Sequence, residues 1–267
     1  MDKTVATAAE AVSDIGDSVM LATGGFGVCG IPGNLLAALA ERGSRDITLV
    51  SNNCGIVDVG NSLLLQNRQI RRLIASYVGE NKELERQYLT GEIEIELIPQ
   101  GTLAERLRAG GAGIAAFYTR SGVGTQIAEG GLPIRYAADG TVTIASTPKP
   151  VGRFRWDGRE EVFVLEEALR PDFALIHAWK GDRHGNLVFR KAARNFNPLC
   201  AMAAKVTAAQ IEVLVEPGEI DADAIHLPGI YVDRVLPLAA TDIAAKGIER
   251  RTVRTRPDTG DARKGAA

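Results

Sequence analysis

Three uncharged, donor-rich places in the chain could bear on one reacting centre. They are the run Gly24-Gly25-Phe26-Gly27-Val28-Cys29-Gly30, the pair Asn52-Asn53, and Gln100. Glycines between a strand and a helix let the backbone come close to a ligand, and amide hydrogens at a helix start favour a phosphate or a developing oxyanion. Asn and Gln side chains are neither nucleophiles nor general bases at neutral pH, but they donate hydrogen bonds to a carbonyl oxygen gaining negative charge. Asparagines after a strand serve equally well as turn formers that satisfy their own backbone, so both roles stand open for Asn52 and Asn53. Gly25, Gly27 and Gly30 also match the GxGxxG dinucleotide spacing. A nicotinamide nucleotide needs, in addition, an acid about 20 positions on, at the end of the next strand, to hold a ribose. Ser51, Asn52 and Asn53 occupy that place, and Asp46 lies before the strand. A tight turn without any ligand is the third reading of the loop.

What is missing is equally informative. No His, Cys or Ser stands with a base and an orienting acid at a recognisable nucleophile spacing. Cys29, Cys54 and Cys200 are odd in number and widely spaced, as suits buried thiols in a reducing compartment, and His177, His184 and His226 are dispersed, so no metal site is expected. His184, in the turn Gly181-Asp182-Arg183-His184-Gly185-Asn186, reads as a surface hairpin residue. Glu80 is the most suggestive carboxylate, but the start of a helix through Lys82-Glu83-Leu84-Glu85-Arg86 accounts for it more simply. Donors without a nucleophile amount to half a site.

The elements that must position these residues follow from periodicity and turn chemistry. Val19 to Ala22 reads as a strand, the glycine run as a loop, and Asn34 to Arg42 as a helix with Leu35, Leu36 and Leu39 on one face, Pro32 at its start and Gly43 at its stop. Ile47 to Ser51 completes a βαβ unit that delivers Asn52 and Asn53 at a strand end. Glu92-Ile93-Glu94-Ile95-Glu96-Leu97 alternates with period two, which predicts a half-buried strand whose glutamates face water. Pro99 ends it, and Thr102 with Glu105 has capping-box spacing for a helix closed by Gly110 and Gly111, which leaves Gln100 on a strand-to-helix loop. Such loops line the ligand crevice of open α/β sheets. Thr119 to Tyr136 is rich in Gly, Ser and Thr and reads as a long connection that can separate two lobes. Beyond it come short strands at Val142 to Ala145, Phe154 to Trp156, Glu161 to Leu165, Phe173 to Ala178 and Leu187 to Arg190. A helix near Pro198 to Ala204, a strand Val206 to Val215 and an apolar segment Tyr231 to Leu238 complete the core.

The chain has 267 residues, 45% hydrophobic and 24% charged, with 31 Lys+Arg against 33 Asp+Glu and a net charge of −2. That is an ordinary globular composition with no basic field to draw nucleic acid or anionic lipid, so small-molecule chemistry is the expectation. No apolar run reaches the roughly 18 residues of a membrane span, and the opening residues lack a basic-then-apolar signal pattern, which points to the cytoplasm. From Glu249 onward six basic and three acidic residues stand among few apolar ones, so residues 1–248 are expected to form the domain and 249–267 a disordered basic tail.

In order along the chain these motifs resemble the A-type (alpha) half of family I CoA-transferases. The glycine signature stands as Gly24-Gly25-Phe26, Gly30 and Pro32. It is joined by Ser51-Asn52-Asn53-Cys54-Gly55, Ser76-Tyr77-Val78-Gly79-Glu80-Asn81, Pro99-Gln100-Gly101-Thr102-Leu103-Ala104-Glu105-Arg106 and Gly181 to Asn186. The resemblance runs from about Lys3 to about Leu238 and is strongest to enzymes acting on succinyl-CoA and a 3-oxoacid such as acetoacetate, with 3-oxoadipate and acetate/acetoacetate transferases as near relatives. It implies a Rossmann-like, open, mostly parallel sheet flanked by helices, paired with a B-type CoA-transferase half in an A/B heterodimer or A2B2 heterotetramer. It further implies that a glutamate of the B half carries the covalent chemistry, with no cofactor beyond the CoA thioester substrate. Asn52, Asn53 and Gln100 then match positions beside the reacting centre, Gln100 as oxyanion donor, and Gly24 to Gly30 matches the CoA loop. Two departures are Thr23, where small apolar residues are usual, and the extension past Glu249.

Overall fold

A computed structural model describes residues 1–56 and 58–245. The tail expected from 249 to 267 lies outside them. The strands are β1 (Met20–Thr23), β2 (Ile47–Val50), β3 (Ile70–Ala75), β4 (Glu94–Leu97), β5 (Ala116–Thr119), β6 (Pro133–Tyr136), β7 (Val142–Ala145), β8 (Val151–Trp156), β9 (Arg159–Glu167), β10 (Phe173–Asp182), β11 (Leu187–Val188), β12 (Val206–Val215) and β13 (Arg234–Pro237). The helices are α1 (Ala8–Ala11), α2 (Gly33–Arg42), α3 (Ser62–Gln66), α4 (Lys82–Leu89), α5 (Gln100–Gly111), α6 (Gln126–Glu129), α7 (Asn197–Ala203) and α8 (Ala240–Ala245).

Strands β13-β12-β10-β1-β2-β3-β4 lie side by side in that order and all parallel, with β11 turned back antiparallel on the end of β10. Successive residues of a strand face opposite sides, and both sides here are covered. Leu21, Leu49, Leu73 and Ile95 meet Leu35, Leu36 and Leu39 of α2, Leu64 and Leu65 of α3 and Leu84 of α4. Their neighbours Ala22, Val50 and Ile74, with Ile176 and Ile211, meet Leu103 and Leu107 of α5 and Cys200 and Ala201 of α7. This double covering explains why the central strands read as apolar runs. The expected α/β architecture, an open parallel sheet flanked by helices, is the one observed.

A three-stranded antiparallel sheet, β5-β9-β8, and the hairpin β6-β7 stand apart from the main sheet. The connection Thr119 to Tyr136 is more structured than its composition suggests, because it holds α6 and β6. Two further expectations are corrected. α5 opens at Gln100 rather than at Thr102: Pro99 serves as N-cap, Leu103 N–H donates to the Pro99 carbonyl at 2.9 Å, and Glu105 pairs with Arg108 instead of closing a capping box. Pro99 cannot donate to a ladder, so the chain leaves β4 and coils at once. Nor do all three glutamates of the β4 region face water. Glu96 accepts from Arg72 at 2.5 Å and from Arg106 at 2.9 Å, and Glu94 lies against Arg71 and Arg72. Burial pushes the Glu96 carboxyl up, but Arg106 and Arg72 outweigh it and the net shift is downward.

Candidate active site

The chain winds from β1 to β2, β3 and β4 in one direction and from β10 to β12 and β13 in the other. The switch point therefore lies between β1 and β10, and the crevice of such a sheet opens outside the carboxyl ends of its strands there. The glycine loop leaves β1 at that point, Asn52 and Asn53 follow β2, Ser76 follows β3, and Gln100 opens α5 after β4.

These ends are joined side chain to side chain. Gln100 Nε2 donates to Asn52 Oδ1 at 2.7 Å, and Ser76 Oγ donates to the same oxygen at 2.9 Å. Asn52 Nδ2 donates to Asn53 Oδ1 at 3.3 Å, and Asn53 Nδ2 donates to the Gly27 carbonyl at 3.3 Å. Asn61, at the start of α3, braces the strand end through Ser51 Oγ at 3.0 Å and the Asn53 carbonyl at 3.2 Å. Asn52 and Asn53 are buried, and Gln100 is exposed. The two asparagines thus satisfy a chain of neighbours rather than their own backbone, and the chain ties the glycine loop to Gln100. Each primary amide has two N–H bonds. Gln100 spends one on Asn52, and its side chain lies exposed at the end of β4.

The loop itself turns sharply. Phe26 and Cys29 exchange backbone hydrogen bonds of 3.0 Å around Gly27 and Val28, and the Phe26 ring is left 48% exposed at the rim. From the opposite side, residues that the sequence did not single out hold it. Asn195 Oδ1 accepts from Gly25 N–H at 3.2 Å while its Nδ2 donates to the Cys29 carbonyl at 3.1 Å. Asn197 Nδ2 donates to the Gly30 carbonyl at 3.0 Å, and its Oδ1 accepts from His177 N–H at 2.9 Å. Gly30 has φ +71°, and a Cβ there would stand 2.9 Å from the Ala193 carbonyl; a Cβ on Gly24 would fall on the Asn197 amide. Glycine is required at both places by contact, and at Gly30 by conformation too. The signal that could have flagged these partners is Asn195-Phe196-Asn197-Pro198, two side-chain amides just ahead of a proline at a helix start.

Below the loop, Gln210 of β12 caps α2. Its Oε1 accepts from Asn34 N–H at 3.0 Å and Leu35 N–H at 3.2 Å, where Pro32 offers no side-chain cap, and its Nε2 meets His177 Nδ1 at 3.1 Å. His177 Nε2 lies 3.0 Å from Glu212. With Nδ1 accepting from Gln210, the neutral imidazole carries its proton on Nε2 toward that carboxylate.

The remaining candidates fall away from this centre. Burial pushes the Cys54 and Cys200 thiols up to about 12, far from thiolate reactivity, and Cys29 is half-buried in the loop. Glu80 is exposed with φ +67°, one residue outside the α4 N-cap Asn81, whose Oδ1 accepts from Leu84 N–H at 3.1 Å. His184 is exposed in the β10–β11 turn, where buried Asp182 accepts from His184 N–H and Asn186 N–H at 2.9 Å each. Among the described residues no group of three or more His, Cys, Asp or Glu could hold a metal ion, and no helix is long and apolar enough to cross a membrane.

The winding order and the amide-lined crevice define a doubly wound α/β protein with its candidate site at the switch point. The family model for coenzyme A transferases matches residues 5–237, and the chain belongs to that family. It is 60% identical over 254 residues, 95% of its own length and 100% of the relative's, to a Mycobacterium bovis protein described as the A-type half of a probable succinyl-CoA:3-ketoacid coenzyme A transferase. It is 52% identical over 256 residues to the human mitochondrial succinyl-CoA:3-ketoacid coenzyme A transferase 2, spanning 96% of this chain and 48% of that one. Among solved structures it superposes on an acyl-CoA transferase from Escherichia coli O157:H7, crystallised as a thioester complex with CoA, with a TM-score of 0.72 at 22% identity over 89% of this chain and 47% of that one. The GxGxxG spacing consequently marks no dehydrogenase. Asp46 stands just before β2, at the end of the sheet away from the loop, and Asn53 occupies the place of a ribose acid.

Proposed function

We propose that this chain is the A-type half of an enzyme that moves CoA from succinyl-CoA to a 3-oxoacid such as acetoacetate, with the nucleophilic glutamate supplied by a B-type partner in an A/B or A2B2 assembly in the cytoplasm. The names of the relatives support the substrates, and the human relative, twice as long, has room for a second half in the same chain. The observation that supports the reading is the Gln100–Asn52–Asn53–Gly27 chain, which joins uncharged amides of two strand ends to the glycine loop.

In this reaction the glutamate carboxylate adds to the succinyl carbonyl carbon, the C–S bond breaks, and CoA leaves as thiolate, giving a mixed anhydride. The thiolate then adds to the glutamyl carbonyl of that anhydride, succinate leaves, and CoA is held as a glutamyl thioester. Acetoacetate runs the two steps in reverse and departs as acetoacetyl-CoA. Each addition places negative charge on a carbonyl oxygen, and a fixed neutral amide stabilises it without competing as a base. Asn52 positions Gln100, Asn53 ties Gln100 to the loop, and Gly24 to Gly30 lets the thioester arm approach the backbone. No metal and no cofactor other than the thioester itself takes part in this reading.

The test is CoA transfer from succinyl-CoA to acetoacetate by this chain alone and co-assembled with its B-type partner. Activity in the mixture only is the expected result. Activity in this chain alone would place a nucleophile here, with Glu80 the first suspect; silence in the mixture with acetoacetate but turnover with 3-oxoadipate or acetate would correct the acceptor.

A further inference from the structure

We propose that His177 is a positioning residue for the reaction: from one place in β10 it fixes both ends of the turn that carries the glycine loop into α2. The assignment rests on the function proposed above for what the loop does, and on the geometry alone for how the loop is held.

His177, Gln210 and Glu212 stand on the face of the sheet that packs under α2, where Leu175 and Ala208, two residues earlier on the same strands, belong to the apolar core. His177 and Gln210 are partners in the parallel register of β10 and β12 and are only 2% and 1% exposed. Polar groups buried this deeply cost free energy unless each meets a partner. The partners here admit one arrangement. The N–H groups of Asn34 and Leu35 need an oxygen, so the Gln210 amide turns Oε1 toward α2 and its NH2 toward His177. His177 Nδ1, 3.1 Å from that nitrogen, must then accept, and the imidazole proton goes to Nε2, 3.0 Å from Glu212. Glu212 thus selects the tautomer, the tautomer sets the amide, and the amide holds the first turn of α2.

The same residue grips the other end of that turn through its backbone. His177 N–H donates to Asn197 Oδ1 at 2.9 Å, and Asn197 Nδ2 donates to the Gly30 carbonyl at 3.0 Å. Asn197 is fully buried. Gly30 closes the glycine loop and Asn34 lies in the first turn of α2, so both anchors of this short segment lead back to one strand residue, the first through the main chain and the second through the imidazole. Pro32 between them supplies no side-chain cap of its own. A segment tied at both ends keeps little freedom, and the loop before it is held ready for its ligand. Through the Gly27 carbonyl, which accepts from Asn53, any shift of the loop is passed on toward Asn52 and Gln100.

The test uses the assembled enzyme and compares wild type with H177L, H177Q and H177N. Asn sets its Oδ1 where Nδ1 stands and still accepts from Gln210; Gln sets its amide nearer Nε2 and loses that acceptor; Leu loses both. Two quantities are read: amide hydrogen exchange over residues 24–36 by mass spectrometry, and KM against kcat for succinyl-CoA. H177L and H177Q should raise both the exchange and KM by roughly fivefold, the factor one neutral hydrogen bond typically carries, while H177N should stay within about twofold of wild type. A merely structural loss would lower the fraction of active enzyme, hence kcat, and leave KM alone. Wild-type exchange in H177L, or H177N failing as badly as H177Q, would overturn the tie to the loop; raised exchange with an unmoved KM would overturn its part in the reaction. If the wild-type assembly turned over no succinyl-CoA, the function above would fall, and exchange would still decide how the loop is held. Should H177L not fold, the contrast between H177N and H177Q decides the same point.

Discussion

If Asn52 acts only by holding Gln100, the two residues form one functional unit, and a double-mutant cycle reveals it. Gln100→Ala removes the proposed oxyanion donor, which typically costs about 3–4 kcal/mol, or roughly 10²- to 10³-fold in turnover. Asn52→Ala keeps the donor but unfastens it by deleting the acceptor of the 2.7 Å bond. A neutral hydrogen bond is worth about 1 kcal/mol net, so turnover should fall about fivefold. With Gln100 already gone, Asn52 has nothing left to orient, and the double variant should match Gln100→Ala to within about twofold. The assay is saturating CoA transfer from succinyl-CoA to acetoacetate at about 25 °C in the assembled enzyme. Asn52 is only 3% exposed and also accepts from Ser76 Oγ, so its loss should destabilise the fold by about 1–3 kcal/mol. A thermal midpoint recorded beside each rate separates that effect from catalysis. If the double variant falls below Gln100→Ala by the full Asn52 factor, Asn52 contacts the reacting group independently and the positioning chain is refuted.

Other perturbations probe the supports of the site. Gly30→Ala puts a Cβ against the Ala193 carbonyl at φ +71°, so KM for the thioester should rise as the loop shifts; an unchanged KM would show that the loop does not bear on the substrate. Gln210→Ala strips the acceptor from two N–H groups at the start of α2, and chemical denaturation should report a loss of about 2–4 kcal/mol. Glu96 has a folded-state pKa below its ordinary 4.5, so the unfolded chain binds more protons: its contribution is complete above pH 4.5 and disappears as pH falls through the lowered value. Midpoints measured across that acid range should therefore fall less steeply in Glu96→Gln than in wild type. Glu80→Gln should leave stability within about 0.5 kcal/mol of wild type, as at an ordinary surface position, and a CoA adduct should still be found by mass spectrometry on the partner chain.

Elements whose cause lies within about ten residues were legible in the sequence, because periodicity and turn chemistry act locally. β2, α2 with Gly43 at its left-handed stop and β12 from Val206 to Val215 all stand where their residues place them. Where local rules competed, they failed. Thr102 and Glu105 have capping-box spacing, but Pro99 starts α5 two residues earlier, and the period-two glutamates of β4 are drawn inward by Arg72 and Arg106.

The chemical character of the site was written in the chain: glycines, two asparagines, a glutamine, and no placed nucleophile. Its construction was not. Gln100 meets Asn52 across 48 positions, Asn195 reaches Gly25 across 170, and Gln210 caps α2 across 176. Such contacts depend on which strands lie side by side, here β1 between β10 and β2, and strand order follows from how two helical layers cover one sheet rather than from any short segment. The tertiary structure decided which amides hold one another and which hold the loop.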